Sequence, residues 1–309
     1  MEILDRPAWQ ARADAHAARV DEWVQPHLAR RRQGVKHPVH DFLFTYYSQR
    51  PAALRRWHPG WGVVLLDAPE YAGLTGYCRT VPNEMQVSEP DPAGQRSGPS
   101  LSVEHLRAQV PLVESIHRLL VATASRAPRL GCFGMHEWAM VHRAADADGP
   151  RHEWPLRLGP AGTDEIVESH RISCTHFDAY RFFTPSARPL NTLRPGRDDR
   201  VDFEQPGCLH AGMDLYGRCA GRLSPLIPSE LVADAFELAW DVRILDMRAA
   251  PYDFTGLTLD PTGEPWTPVE IETPKGKQDY VAQQRGFADR GQVIRRRLIG
   301  ECERLLSVG

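Results

Sequence analysis

Between residues 101 and 127 the chain repeats mostly apolar side chains at spacings of three and four: Val103, Leu106, Val110, Val113, His117, Leu120 and Ala124. That period matches the turn of an α-helix and predicts one amphipathic face that must be buried against a partner surface. Pro111 lies inside the run and predicts a kink or a new helix start. Similar patterns predict helices over residues 8–33, 41–56, 163–170, from Ser229 through Val232, Phe236, Ala239 and Val242, and over 277–306. Strand signals are few: Val63 to Leu66, Leu156 to Leu158, and Ile172 to Thr184. So little strand between apolar helices predicts an α+β fold, predominantly α-helical with a small β-sheet, as a single compact domain over 1–309. Residues 88–100 (SEPDPAGQRSGPS) offer almost nothing to bury and are expected to form a mobile loop. The stretches 185–207 and 250–278 are long and proline rich, a kind of loop that often carries function.

Composition bounds the function classes. The 309 residues, 42% hydrophobic, can bury a large core, and a formal charge of −3 gives no global attraction to nucleic acid or anionic lipid. No apolar run approaches the roughly 20 residues of a membrane span, and charge begins at Glu2, unlike a secretory leader. The six scattered cysteines form no C-x-x-C pair, and with the missing leader they predict free thiols in a cytoplasmic protein without membrane partners. Dinucleotide, nucleoside-triphosphate and serine-hydrolase motifs are missing from the sequence.

Two segments concentrate polar chemistry. In Cys174-Thr-His176-Phe-Asp178-Ala-Tyr180, strand alternation predicts Cys174, His176, Asp178 and Tyr180 on one face. In Gln205-Pro-Gly-Cys208-Leu-His210 and onward, a Pro-Gly turn followed by a helix aligns His210, Asp214 and Arg218 at fourfold spacing. Each segment pairs a His with an Asp, as general acid–base catalysis or a divalent metal such as zinc or iron requires. We therefore expect His176, Asp178, His210 and Asp214 to converge on one pocket, their His side chains within about 12 Å, as catalytic residues or as ligands of a metal. A solvated strand face and a surface ion-pair ladder are the structural alternatives. Cys174 and Cys208 remain candidate nucleophiles. A third segment, from Cys132 through His136 and Glu137 to His142, lacks the H-E-x-x-H pattern, and a core or capping role is as well supported there as catalysis. His117, on its apolar helical stripe, reads as a satisfied buried histidine.

The runs DFLFTYYSQRP, LRRWHPG, CTHFDAYRFFTP, PLN, EQPGCLHAGMDLY and LDMRAAPYDF together resemble an actinobacterial family usually catalogued as 3-methyladenine DNA glycosylase, over most of the chain. The resemblance implies hydrolysis of an N-glycosidic bond to an alkylated purine. Such a reaction needs a carboxylate, for which Asp178 and Asp214 stand, and aromatic rings to stack the base. Phe177, Tyr180 and Trp138 are the stacking candidates, with Arg181 as a further substrate contact. A DNA partner would meet the local excess of Arg30, Arg31, Arg32, Lys36, Arg50, Arg55 and Arg56 over Asp41. The alternatives are a metal-dependent or acid–base enzyme acting on a small molecule through the His/Asp pocket, and a non-catalytic ligand-binding protein.

Overall fold

Helix-on-helix packing dominates a computed structural model that describes residues 1–47, 49–80, 97–144 and 154–308. In chain order the elements are β1 (Glu2–Leu4), α1 (Arg6–Arg32), α2 (Phe42–Thr45), α3 (Pro51–Arg55), β2 (Val63–Leu65), β3 (Tyr77–Thr80), β4 (Gly98–Leu101) and α4 (Val103–Ala124). There follow α5 (Met135–Ala139), α6 (Gly159–Ser169), α7 (Phe177–Tyr180), α8 (Arg200–Phe203), α9 (Leu209–Asp214), a π-helical segment (Leu215–Ala220), α10 (Gly221–Leu223), α11 (Ser229–Arg248) and α12 (Pro274–Leu306). The predicted α+β class, mostly helical, is what the structure has. Among the described residues the strands form two two-stranded sheets, β1 parallel to β2 and β3 antiparallel to β4.

Side-chain caps explain where α1, α4 and α12 begin. Asp5 accepts from the backbone N–H of Ala8, Ser102 from that of His105 and Thr273 from that of Gly276. Helix α11 is the hub: α1, α9, the π-helical segment and α12 pack on it, and its buried residues lie on almost every side. Such a helix is the axis of a core. The main apolar cluster runs from Val20 in α1 to Leu305 in α12 and draws on Trp138, Tyr216, Phe236 and Tyr280.

Several expectations change. Pro111 sits within a single helix, on its exposed side, where a carbonyl left without its N–H partner can reach water. The helix expected over 41–56 is two short ones. Pro51 disfavours helical backbone in the residue before it and restarts the chain as the first residue of α3. The loop expected over 88–100 lies mostly outside the described residues, but 98–100 belong to strand β4. A side chain at Gly98 would come within 2.0 Å of the Leu65 carbonyl oxygen, so β4 packs flat against β2 only because that residue is glycine. His117 is half-buried, 3.5 Å from Glu303, rather than enclosed in the core. All six cysteines are free thiols, and among the described residues no helix is long and apolar enough to cross a membrane.

Candidate functional site

The segment 172–184, expected as a strand, is not one. Ile172 makes an isolated bridge to Asn191, the chain stays extended through His176, and α7 then begins. No neighbouring strand is needed because the Asn191 side chain does its work: its Oδ1 accepts from the Cys174 N–H at 2.6 Å and its Nδ2 donates to the Cys174 carbonyl at 3.1 Å. The alternation that grouped Cys174, His176, Asp178 and Tyr180 on one face therefore fails. His176 and Asp178 still share a cavity, one preceding α7 and the other in its first turn. The second segment folds as read: Pro206 and Gly207 make the turn, α9 carries His210 and Asp214, and Arg218 in the π-helical segment lies 3.5 Å from Asp214.

The two segments meet. The His176 and His210 rings stack with centroids 5.2 Å apart, and the His136 ring stands edge-on to His210 at 4.5 Å. A cavity of about 310 Å³ opens over them, lined by His176, Asp178, His210 and Asp214, by Glu137 and Arg243, and by Phe42, Tyr46, Tyr47, Met140 and Phe182. Titratable groups and aromatic rings share the lining, with the Arg243 guanidinium 4.1 Å over the Phe42 ring, a mixture expected of a small-molecule site.

Ion pairs set the electrostatics. His176 Nε2 donates to Asp214 Oδ2 at 3.1 Å, and Asp214 also receives Arg200 at 2.6 Å. Burial alone would raise the Asp214 carboxyl; the His176 hydrogen bond, with Arg200 and Arg218 nearby, carries it below the usual carboxylate range. Asp178 accepts from Arg218 and lies 3.1 Å from Arg181. Burial, reinforced by the neighbouring His136, pushes His210 down to about 3, so it is neutral at pH 7. His136 is raised, because the Asp246 carboxylate at 2.9 Å outweighs the opposing effect of burial. Burial pushes the Cys174 thiol up to about 12 and Cys208 also upward, which removes both as thiolate nucleophiles.

The four expected site residues do not form one metal ligand set. Asp178 faces arginines, whereas the side chains whose donor atoms lie within 4.8 Å of one another are His136, His210 and Asp246 in one group and His176, Glu204 and Asp214 in another. The stacking candidates also change. Trp138 is fully buried, donating its indole N–H to the Ala249 carbonyl. Tyr180 packs on Phe183, and Phe177 and Arg181 line a separate surface cleft. Their place in the cavity is taken by Phe42, Tyr46, Tyr47 and Phe182. A side chain at Gly217 would meet the Tyr47 ring at 1.9 Å, so that glycine lets Tyr47 lie against the π-helical segment.

Sequence reasoning missed Arg243, Asp246, Glu204 and Arg200, and left Glu137 between a core role and catalysis. For α11 a signal was present. The apolar stripe of Ala239 and Val242 continues, four residues on, into Arg243 and Asp246, so two charges fall on a face that must be buried. The local basic excess is partly neutralised: Arg30 pairs with Asp41 and Asp260, and Arg55 with Asp21. No family model, curated protein or solved structure matches the chain.

Proposed function

We propose that this protein is an enzyme carrying out acid–base chemistry, of hydrolytic type, on a small molecule bound in the cavity above His176 and His210. One observation carries the reading: two stacked histidines, one oriented by a buried carboxylate, stand beneath an aromatic wall. The His176–Asp214 hydrogen bond makes Nε2 the protonated nitrogen, while Nδ1 is buried without a hydrogen-bond partner among the described residues, so His176 serves to hold Asp214 and to stack on His210. Neutral His210 is the proton acceptor. Asp178, half-buried and fixed in orientation by Arg218 and Arg181, is the cavity carboxylate we place beside the substrate. The hydrolysis of an N-glycosidic bond implied by the resemblance is one form of this chemistry, with the purine against Phe42, Tyr46 and Phe182. The ion pairing of Arg30 and Arg55 weighs against duplex DNA as the partner.

The test is turnover of a panel of small N-ribosides, amides and esters, alongside alkylated duplex DNA, with and without added divalent metals. Wild type is expected to turn over a small substrate. Asp178→Asn and His210→Ala should each lower that rate by about 100-fold or more, the usual contribution of positioned acid–base groups, with unchanged circular dichroism. Base release from duplex DNA alone would favour the glycosylase reading. Ligand binding without any turnover would favour a non-catalytic binding protein.

A further inference from the structure

We infer that His136, His210 and Asp246 form a binding site for one divalent transition-metal ion beside the cavity, an inference that rests on the proposed function only for the use the cavity makes of the ion. His136 comes from α5, His210 from α9 and Asp246 from α11, and their donor atoms lie within 4.8 Å of one another. Asp246 is 0% exposed and His136 6%. Such groups belong in an apolar core only with partners.

Those partners are incomplete. His136 Nε2 and Asp246 Oδ1 lie 2.9 Å apart as an ion pair whose geometry is bent away from that of a good hydrogen bond, and neither atom has another partner among the described residues. Two ligands of one metal behave in this way. With metal–ligand bonds of about 2.1 Å and an angle of about 90°, neighbouring donor atoms stand about 3 Å apart, each aimed at a common point and not at the other. His210 completes the set, and among the described residues neither of its ring nitrogens has a hydrogen-bond partner. The remaining Asp246 oxygen is fixed by Arg243 Nη1 at 3.1 Å, the kind of support that orients a ligating carboxylate.

Charge separates this group from the other one. Around His176, Glu204 and Asp214, the carboxylates of Glu204, Asp214 and Asp178 meet the guanidinium groups of Arg200, Arg218 and Arg181, so each negative charge already has a cation. Arg200 Nη2, 2.6 Å from Asp214, holds the position that a metal would need. Around Asp246 and Glu137 the cations are Arg243 and a protonated His136, and Glu137 Oε2 is also buried without a partner. A ligating imidazole must be neutral, so a bound metal ion would replace the His136 proton as the second cation. Two imidazoles and one carboxylate with open positions suit Zn²⁺ or Fe²⁺ rather than Mg²⁺ or Ca²⁺. His136 and His210 both line a narrow second cavity of about 30 Å³, room for a water-sized ligand, while His210 also faces the larger one.

The experiment measures metal binding, not turnover. Purified protein stripped of metal is titrated with Zn²⁺ and Co²⁺ against a chromophoric chelator, and the Zn²⁺-loaded wild type is examined by X-ray absorption. We expect one equivalent bound, two imidazoles in the coordination shell, and affinity lowered at least about 100-fold in Asp246→Asn and in His210→Ala. Asp214→Asn should bind within a few-fold of wild type. Absence of binding by folded wild type would overturn the site. So would a single-imidazole shell, or binding lost in Asp214→Asn and retained in Asp246→Asn, because the metal would then sit at the other group. If the variants fail to fold, the imidazole count in wild type decides. Metal bound in this way without turnover of any substrate would leave the site standing and sink the proposed enzymatic role.

Discussion

Replacing Asp214 by Asn keeps the shape of the side chain and removes its charge, so it isolates the electrostatic work of the network beneath the cavity. The wild-type carboxylate is buried and receives His176 Nε2 at 3.1 Å and Arg200 Nη2 at 2.6 Å, with Arg218 Nε at 3.5 Å. Breaking a buried ion pair costs about 3–5 kcal/mol, because the surviving charge is left without compensation. Here Arg200 keeps Glu204 and Arg218 keeps Asp178, so we expect the lower end, about 3 kcal/mol. In a chain of this size that lowers the melting temperature by about 5 °C. The control is Asp234→Asn, whose partners Arg19 and Arg297 are substantially exposed, and it should cost under about 1 kcal/mol. Urea unfolding of both variants at several pH values gives the comparison. Because the folded Asp214 carboxyl lies below its ordinary value of 3.8, its stabilisation is complete above that value and is lost as pH falls below it. The deficit of Asp214→Asn should therefore persist from pH 7 to about 4.5 and close only in stronger acid. A variant no less stable than Asp234→Asn, or a deficit that vanishes near pH 6.5, would refute the reasoning.

Acid should destabilise the fold well before the carboxylates titrate. Burial, with nearby positive charge, pushes His40 down to about 3 and His58 to about 4, whereas both protonate near 6.5 when unfolded. Their stabilisation is complete above pH 6.5 and is lost as pH falls toward 4. Each group should cost about 2 kcal/mol between pH 7 and 5, measured as a falling urea midpoint. His40 Nε2 accepts the Asp260 N–H, so hydrogen exchange at Asp260 should accelerate over the same range. Gly217→Ala should cost about 1–3 kcal/mol by overpacking and weaken ligand binding, since the displaced Tyr47 ring lines the cavity. Asn191→Ala leaves the Cys174 N–H and C=O unpaired, and should cost about 2 kcal/mol and expose the Cys174 amide to exchange.

Periodicity made the long helices legible, because each must bury one continuous face. It failed where a side chain replaced the backbone as partner. The extended run at Cys174 is held by Asn191, a contact 17 residues away that no local pattern carries. The convergence of His176 with His210 was legible in part, since each segment pairs a His with an Asp on its own, and Asp214 joins them as read. The third histidine was legible only as part of a segment left between a core role and catalysis, because His136 follows a left-handed Gly134 in a five-residue helix too short to say what it meets. The aromatic wall was hidden as well, because Phe42 and Tyr46 read as ordinary helical positions until Pro51 breaks the run.

The binding of a small molecule in the cavity over His176 and His210, as proposed, is open to a direct test. Soaking crystals with planar heteroaromatic fragments tests it without knowledge of the substrate. We expect fragments between the Phe42, Tyr46 and Phe182 rings, with polar atoms within hydrogen-bond distance of His210 or Asp178, and occupancy lost in crystals of Gly217→Ala. Fragments gathering elsewhere on the protein, with only ordered water above the two histidines, would contradict it.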